Sequence, residues 1–151
     1  MNIQRVKQGA RITWVNGIYM ILFGIFYTIF IKFNMKQNFS AINELWGFFA
    51  KFNPEITSLF YLFNILIGLF LISTGISIIH FSDFIIKRKD KMTWVILFVS
   101  GLIAWGGLLI ISCFFKNYIL IALSGIGWIS FVIGMLLPIN YYLEKVIESI
   151  K

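Results

Sequence analysis

Four long apolar segments without a single charged residue constrain the fold of this chain more than any other feature. They run over 12–31, 58–81, 94–115 and 118–139. Each is about 20 residues or longer, and at about 1.5 Å of rise per residue such a helix crosses the roughly 30 Å hydrocarbon core of a bilayer. Continuous apolar runs favour helices over a barrel, because a helix satisfies its own backbone hydrogen bonds in lipid. The sequence therefore predicts an all-α fold, an integral membrane antiparallel four-helix bundle.

Composition agrees with this fold class. Hydrophobic residues make up 60% of the chain and charged residues 13%, a balance far from that of soluble domains. We therefore predict one transmembrane domain over 1–151 and no separate soluble domain. The single cysteine, Cys113, excludes an internal disulfide.

The basic residues predict the orientation. With a cytoplasmic N-terminus, most of them lie inside: Arg5, Lys7, Arg11, Lys87, Arg88, Lys89, Lys91, Lys145 and Lys151. This bias favours an integral protein of the cell (plasma or cytoplasmic) membrane with both termini cytoplasmic. The cluster Lys87, Arg88, Lys89 and Lys91 either only sets topology or also contacts anionic headgroups. The basic residues form no extended surface, so we expect no nucleic-acid partner.

The loop between the first two spans is unusually aromatic. Over 40–52, apolar side chains share one arc of a helical wheel, which predicts an amphipathic helix in the outer interface, capped by Ser40 and ended before Pro54. The candidate interface residues are Ile42, Leu45, Trp46, Phe49 and Phe52. This helix is a passive connector, a lid or a docking surface. A second amphipathic extension is predicted over 140–151, on the cytoplasmic side.

Small and polar residues form one stripe on each span. A seven-residue interval recurs in all four: Gly17 with Gly24, Gly68 with Gly75, Ser100 with Gly107, and Gly127 with Gly134. Because lipid tails are as apolar as leucine, helices in membranes associate through close backbone approach and interhelical hydrogen bonds. The stripes therefore predict the faces that pack, with shallow crossings of about +20°.

Within the spans, the candidate polar or ligand contacts are Asn16, Tyr27, Asn64, Ser100, Trp105 and Trp128. By depth, we expect Asn16 to lie near Ser77 and Ser100, and Asn64 to lie level with Tyr27. Interhelical hydrogen bonding explains both asparagines, and a pocket for a polar ligand is the functional alternative. The two tryptophans, set among glycines, indicate either large-into-small packing or the wall of a lipophilic pocket.

Several kinds of chemistry have no residues to carry them. No charged residue lies inside a span, which argues against a proton-coupled exporter, and one histidine provides no metal or haem site, so we expect no metal and no cofactor. We predict a non-enzymatic binding or assembly role, with membrane lipids, another membrane protein or a second copy as partner. The alternatives are a homo-oligomeric channel or carrier for a small solute and, more distantly, a lipid-headgroup enzyme using Asp83, His80 or Glu44.

Overall fold

The computed structural model describes residues 2–40 and 45–142. In chain order its helices are α1 (Asn2–Ile29), α2 (Ile31–Ser40), α3 (Trp46–Phe52), α4 (Pro54–Arg88), α5 (Lys91–Phe114) and α6 (Tyr118–Leu136). A helical turn at 139–142 follows α6, and no strand occurs in the described part of the chain. The predicted all-α class is confirmed. The predicted C-terminal extension lies largely outside the described residues.

Four of these helices are long and apolar enough to cross a membrane: α1, α4, α5 and α6. Large apolar side chains are exposed along their outward faces, for example Leu22, Leu62, Ile103 and Ile126. A soluble monomer rarely exposes apolar surface on this scale, whereas a bilayer accommodates it as ordinary lipid contact. The protein is therefore a membrane four-helix bundle.

The four spanning helices form a ring in the order α4, α1, α6, α5. The contact of α1 with α4 is the most extensive and that of α4 with α5 the least. Neighbours run antiparallel, since Gly17 faces Gly75 while Gly24 faces Gly68. Both ends of the described chain consequently lie at the same end of the bundle.

Glycines allow α1 and α4 to pack backbone against backbone. A Cβ placed on Gly24 would lie 2.7 Å from the Gly68 carbonyl oxygen, and one on Gly75 would lie 2.7 Å from the Gly17 carbonyl oxygen. Both distances are shorter than a van der Waals contact, so no larger residue fits without separating the helices. The seven-residue interval predicted from the sequence is the repeat of this contact.

The prediction that α5 packs through the face of Ser100 and Gly107 is wrong. Ser100 is exposed, and nothing lies within 4 Å of a Cβ placed on Gly107. The buried stripe of α5 is instead Trp94, Leu97, Gly101, Trp105 and Ser112. The reason is that α5 and α6 each contribute one glycine and one large side chain to their contact. Trp105 of α5 lies on Gly127 of α6, and Phe131 of α6 lies on Gly101 of α5. Large side chains therefore pack into gaps that glycines leave on the opposite helix.

The segment between α1 and α4 also departs from the prediction. Ser40 is the last residue of α2 and not the cap of an amphipathic helix, and α3 begins at Trp46. Residues 41–44, where the predicted helix begins, lie outside the described part. The chain runs almost continuously from α1 into α2. Phe30 is the single non-helical residue between them, and its backbone N–H donates to the Phe26 carbonyl oxygen (2.9 Å) while its carbonyl oxygen accepts from the Asn34 backbone N–H (3.0 Å).

The turn between α4 and α5 is held by a side-chain cap. Asp90 Oδ2 accepts hydrogen bonds from the Thr93 backbone N–H (2.7 Å) and the Thr93 hydroxyl (2.6 Å). We expect Asp90→Ala to lower the free energy of unfolding by about 1 kcal/mol, because it leaves the first turn of α5 without its acceptor. Detergent-denaturation curves of the purified protein measure this, and Asp90→Asn, which keeps an acceptor oxygen, is expected to lose less.

Candidate functional site

A cavity of about 340 Å³ lies at the end of the bundle where α1 meets α2. Its lining comes from four helices: Tyr27 of α1, Met35, Asn38 and Phe39 of α2, Phe60, Phe63, Asn64 and Ile67 of α4, and Ile111 of α5, with Phe115 just beyond α5. The volume is at the lower end of the range for small-molecule sites, about 300–1,000 Å³. The wall is apolar and aromatic, with a few convergent polar groups.

Asn64 supplies the one polar atom of this lining that is buried and unpaired among the described residues. The residue is 7% exposed, and its Oδ1 has no hydrogen-bond partner there. Its Nδ2 donates to Met35 Sδ and, at 3.5 Å, to the Phe60 carbonyl oxygen. An unpaired buried acceptor costs about 1–3 kcal/mol. This oxygen is therefore the one buried acceptor of the lining for which the described residues supply no donor.

A chain of asparagines holds α2 across the end of the bundle. Asn117 Nδ2 donates to Asn38 Oδ1 (2.9 Å), Asn38 Nδ2 donates to the Tyr27 hydroxyl (3.4 Å), and Asn34 Nδ2 donates to the Tyr27 carbonyl oxygen (3.3 Å). All three asparagines are buried. The network ties the start of α6 to α2 and α1, and so fixes the roof of the cavity.

The side of the cavity opens toward the lipid between α4 and α5. Phe63 and Ile67 of α4 and Ile111 of α5 belong to the lining and are also exposed on the outer surface of the bundle. Of the four neighbouring pairs of spanning helices, this pair packs least extensively.

The second asparagine within the spans, Asn16, has a different environment. Its Nδ2 donates to the Gly127 carbonyl oxygen and to Ser130 Oγ, both at 2.8 Å, and its Oδ1 accepts from Trp105 Nε1 at 2.9 Å. The Tyr19 ring stacks on Trp105 at 5.7 Å between centroids. Both polar atoms of the amide are used, so the expected neighbours Ser77 and Ser100 are not its partners. This network joins α1, α5 and α6 and leaves no atom of the Asn16 amide for a ligand.

The six candidate contacts therefore do not form one site. Tyr27 and Asn64 line the cavity, Asn16 and Trp105 belong to the packed centre, and Ser100 lies on the outer surface, where its hydroxyl donates to the Leu97 carbonyl oxygen (3.2 Å). Trp128 is half-buried beside Gly106. Trp105 is fully buried and Trp128 is half-buried, so the two tryptophans have different environments.

The aromatic residues of the first loop pack largely on one another. Trp46 is 7% exposed, and its ring lies 4.5 Å from Phe39 and 5.9 Å from Phe49 between centroids. Phe52 and Leu45, predicted to share its face, are exposed, and Ile42 lies outside the described residues. Phe48 stacks on Phe52 at 6.3 Å. The short α3 thus directs Trp46 and Phe49 toward α2 and α4, and Phe48 and Phe52 outward.

The basic cluster lies at the turn between α4 and α5. Lys87 pairs with Asp83 at 2.6 Å, and the Arg88 guanidinium lies 5.0 Å from the centre of the Phe84 ring. Lys89 ends α4 in the left-handed conformation and Lys91 begins α5. Across 2–40 and 45–142, no three His, Cys, Asp or Glu side chains group as metal ligands would.

Helix α2, which supplies three of the lining residues, was not predicted from the sequence. Its asparagines and lysines are typical of loops, and asparagine is a poor helix former. The available signal was the spacing of Asn34, Met35 and Asn38, which are buried, against Lys32 and Lys36, which are exposed. That i, i+1, i+4 pattern places one face of a short helix inward.

Comparison of this chain with family models, with curated protein sequences and with solved structures finds no match.

Proposed function

We propose that this protein is a non-enzymatic membrane binding protein that holds a small lipophilic molecule carrying a hydrogen-bond donor. The observation that carries the proposal is the unpaired Asn64 Oδ1 in a largely apolar cavity. A hydroxyl or an amide N–H of the ligand supplies the missing partner, and its apolar body occupies the aromatic lining. The charge-free lining gives no support to binding of an ion.

The opening between α4 and α5 supports uptake from the bilayer, so the natural source of the ligand is the membrane. Membrane lipids are therefore the proposed partners, and the exposed Phe48 and Phe52 offer a further contact surface for lipid or another membrane protein. We place the protein in the cell membrane with both termini cytoplasmic, as the distribution of basic residues favours. The cavity then lies in the outer leaflet.

A matched pair of probes tests the proposal on the purified protein in lipid nanodiscs. 1-Decanol has an apolar chain and one donor, whereas decyl methyl ether has the same chain and no donor. We expect decanol to raise the unfolding temperature more than the ether does, because only decanol pairs with Asn64 Oδ1. In Asn64→Leu the difference between the two probes is expected to disappear.

The stability of the variant separates a binding site from a structural amide. Asn64→Leu removes an acceptor that has no partner among the described residues, so the unliganded protein is expected to keep its stability within about 1 kcal/mol. Ser77→Leu, at an exposed position nearer the other end of α4, is the control and is expected to leave the decanol effect unchanged. Equal effects of decanol and ether on the wild type would overturn the proposal.

A transport assay tests the rival function. The centre of a single bundle is filled by Met20, Trp105 and Phe131, each fully buried, so a channel or carrier would need several copies around a shared axis. Solute movement by the pure protein in liposomes, abolished by Asn64→Leu, would replace the binding role with that function.

A further inference from the structure

A groove follows the outer side of the seam between α1 and α6, away from the ligand cavity. Its deeper part, about 400 Å³, is lined by Arg11, Ile12, Val15, Asn16, Tyr19, Ile126 and Ser130. A second concavity of about 330 Å³ lies nearer the bundle end, between Arg5 and Ile133, Leu136, Leu137 and Asn140. Residues 5, 12, 16 and 19 share one stripe of α1, and residues 126, 130, 133 and 137 share one stripe of α6. The two concavities therefore lie one after the other on the same side of the seam, and together they are called the groove.

The deeper part of this groove is apolar although it contains an asparagine and a serine. Asn16 Nδ2 donates to Ser130 Oγ and to the Gly127 carbonyl oxygen, so these polar atoms bond within the bundle and not with an occupant. Ile12, Val15, Tyr19 and Ile126 provide the remaining surface. Such a wall suits an alkyl chain.

The end of the groove nearest the N-terminus of α1 is positively charged. Arg11 is the last charged residue before the apolar part of α1, and Arg5 lies six residues further out. Both side chains are exposed, and the only ion pair among the described residues joins Lys87 to Asp83. The stem of Arg11 lines the groove, which leaves the guanidinium to reach the headgroup level. Arginine matches a phosphate through two parallel hydrogen bonds.

We propose that this groove binds one anionic phospholipid, with its phosphate at Arg11 and Arg5 and one acyl chain along Ile12, Val15, Tyr19 and Ile126. The length of the apolar part of the groove favours a lipid over a spanning helix. From Arg11 to Tyr19 the helix rises about 12 Å, close to the depth of one leaflet, whereas a partner helix would need about 30 Å. Basic pockets between transmembrane helices are the sites where anionic headgroups bind.

Native mass spectrometry of the gently solubilised protein, titrated with phosphatidylglycerol and with phosphatidylcholine of the same acyl chains, tests this site. We expect phosphatidylglycerol to be retained preferentially as a single bound copy. Arg11→Gln is expected to weaken its retention about fivefold, the effect of one basic residue near a headgroup. Ile126→Trp, which fills the groove without changing charge, is expected to remove the bound lipid of either kind.

Two control variants distinguish a site from diffuse attraction. Lys7→Gln removes one charge from the same end of the same helix but not from the groove, and Ile103→Trp adds the same bulk to the exposed face of α5. Both are expected to retain phosphatidylglycerol as the wild type does. Equal losses in Arg11→Gln and Lys7→Gln would overturn the proposal. A lipid-free dimer that Ile126→Trp dissociates would overturn it too, and would assign the groove to a second copy.

Discussion

Replacing Gly75 with alanine is expected to lower the free energy of unfolding by about 1–3 kcal/mol, the usual cost of overpacking a close contact. The added methyl would lie 2.7 Å from the Gly17 carbonyl oxygen and 2.7 Å from Ile21 Cγ1. One of these atoms belongs to the backbone of α1, which cannot rotate away as a side chain can. The helices must therefore separate along the seam that packs most extensively, and unfolding in graded detergent mixtures measures the loss.

Gly107→Ala is the matched control for this substitution. Gly107 also lies within a spanning helix, but nothing lies within 4 Å of a Cβ placed on it. Alanine has a helix propensity up to about 1 kcal/mol more favourable than that of glycine, so this variant is expected to match or exceed the wild type in stability. Equal destabilisation by both variants would contradict the close contact between α1 and α4.

Patterns within a single span predicted much of this fold. The apolar lengths identified the four membrane helices, and the small-residue stripes of α1, α4 and α6 identified faces that pack, because Gly17, Gly68 and Gly134 each admit a neighbouring backbone. Such stripes are readable because a close approach in lipid requires small residues on the approaching surface.

The packing face predicted for α5 was wrong because one helix sequence does not say how the helix packs. Its small residues can admit a neighbour, or its large residues can fill gaps on the neighbour. Ser100 and Gly107 are small, yet the buried face of α5 carries Trp105, whose bulk fits the space left by Gly127 of α6. A rule based on small residues finds only one partner of such a pair. Which face α5 buries depends on the glycines of α6, so it could not be predicted from the sequence of α5 alone.

The candidate site was only half predictable for a similar reason. Tyr27 and Asn64 were identified from their spans, and their common depth follows from counting residues. The remaining polar lining comes from α2, whose polar composition does not predict a helix. Tertiary hydrogen bonds from Asn34 and Asn38 stabilise it. Intrinsic propensity is a weak guide where such contacts exceed it.

Replacing Asn16 with leucine is expected to lower the free energy of unfolding by about 2–4 kcal/mol. The substitution removes three hydrogen bonds, to the Gly127 carbonyl oxygen, Ser130 Oγ and Trp105 Nε1. Hydrogen bonds between helices in a membrane contribute on average about 0.6 and up to about 1.7 kcal/mol each, and the Trp105 N–H is left buried without its acceptor. Detergent-denaturation curves report the loss, and the indole ¹⁵N–H signal of Trp105 is expected to shift.

A double variant isolates the bond between α1 and α5. Trp105→Phe removes the donor, so Asn16→Leu should cost about 1 kcal/mol less in that background than in the wild type. Simple additivity of the two variants would contradict the bond between these side chains.

Asn16→Leu and Asn64→Leu make the same chemical change within the spans and are expected to give opposite results. Every polar atom of the Asn16 amide bonds to another helix, so its loss weakens the bundle whether or not a ligand is present. Asn64 Oδ1 is unpaired among the described residues, so its loss changes ligand binding and leaves the free protein nearly as stable. Substantial destabilisation by both variants would assign Asn64 to the framework and remove the support for a binding cavity.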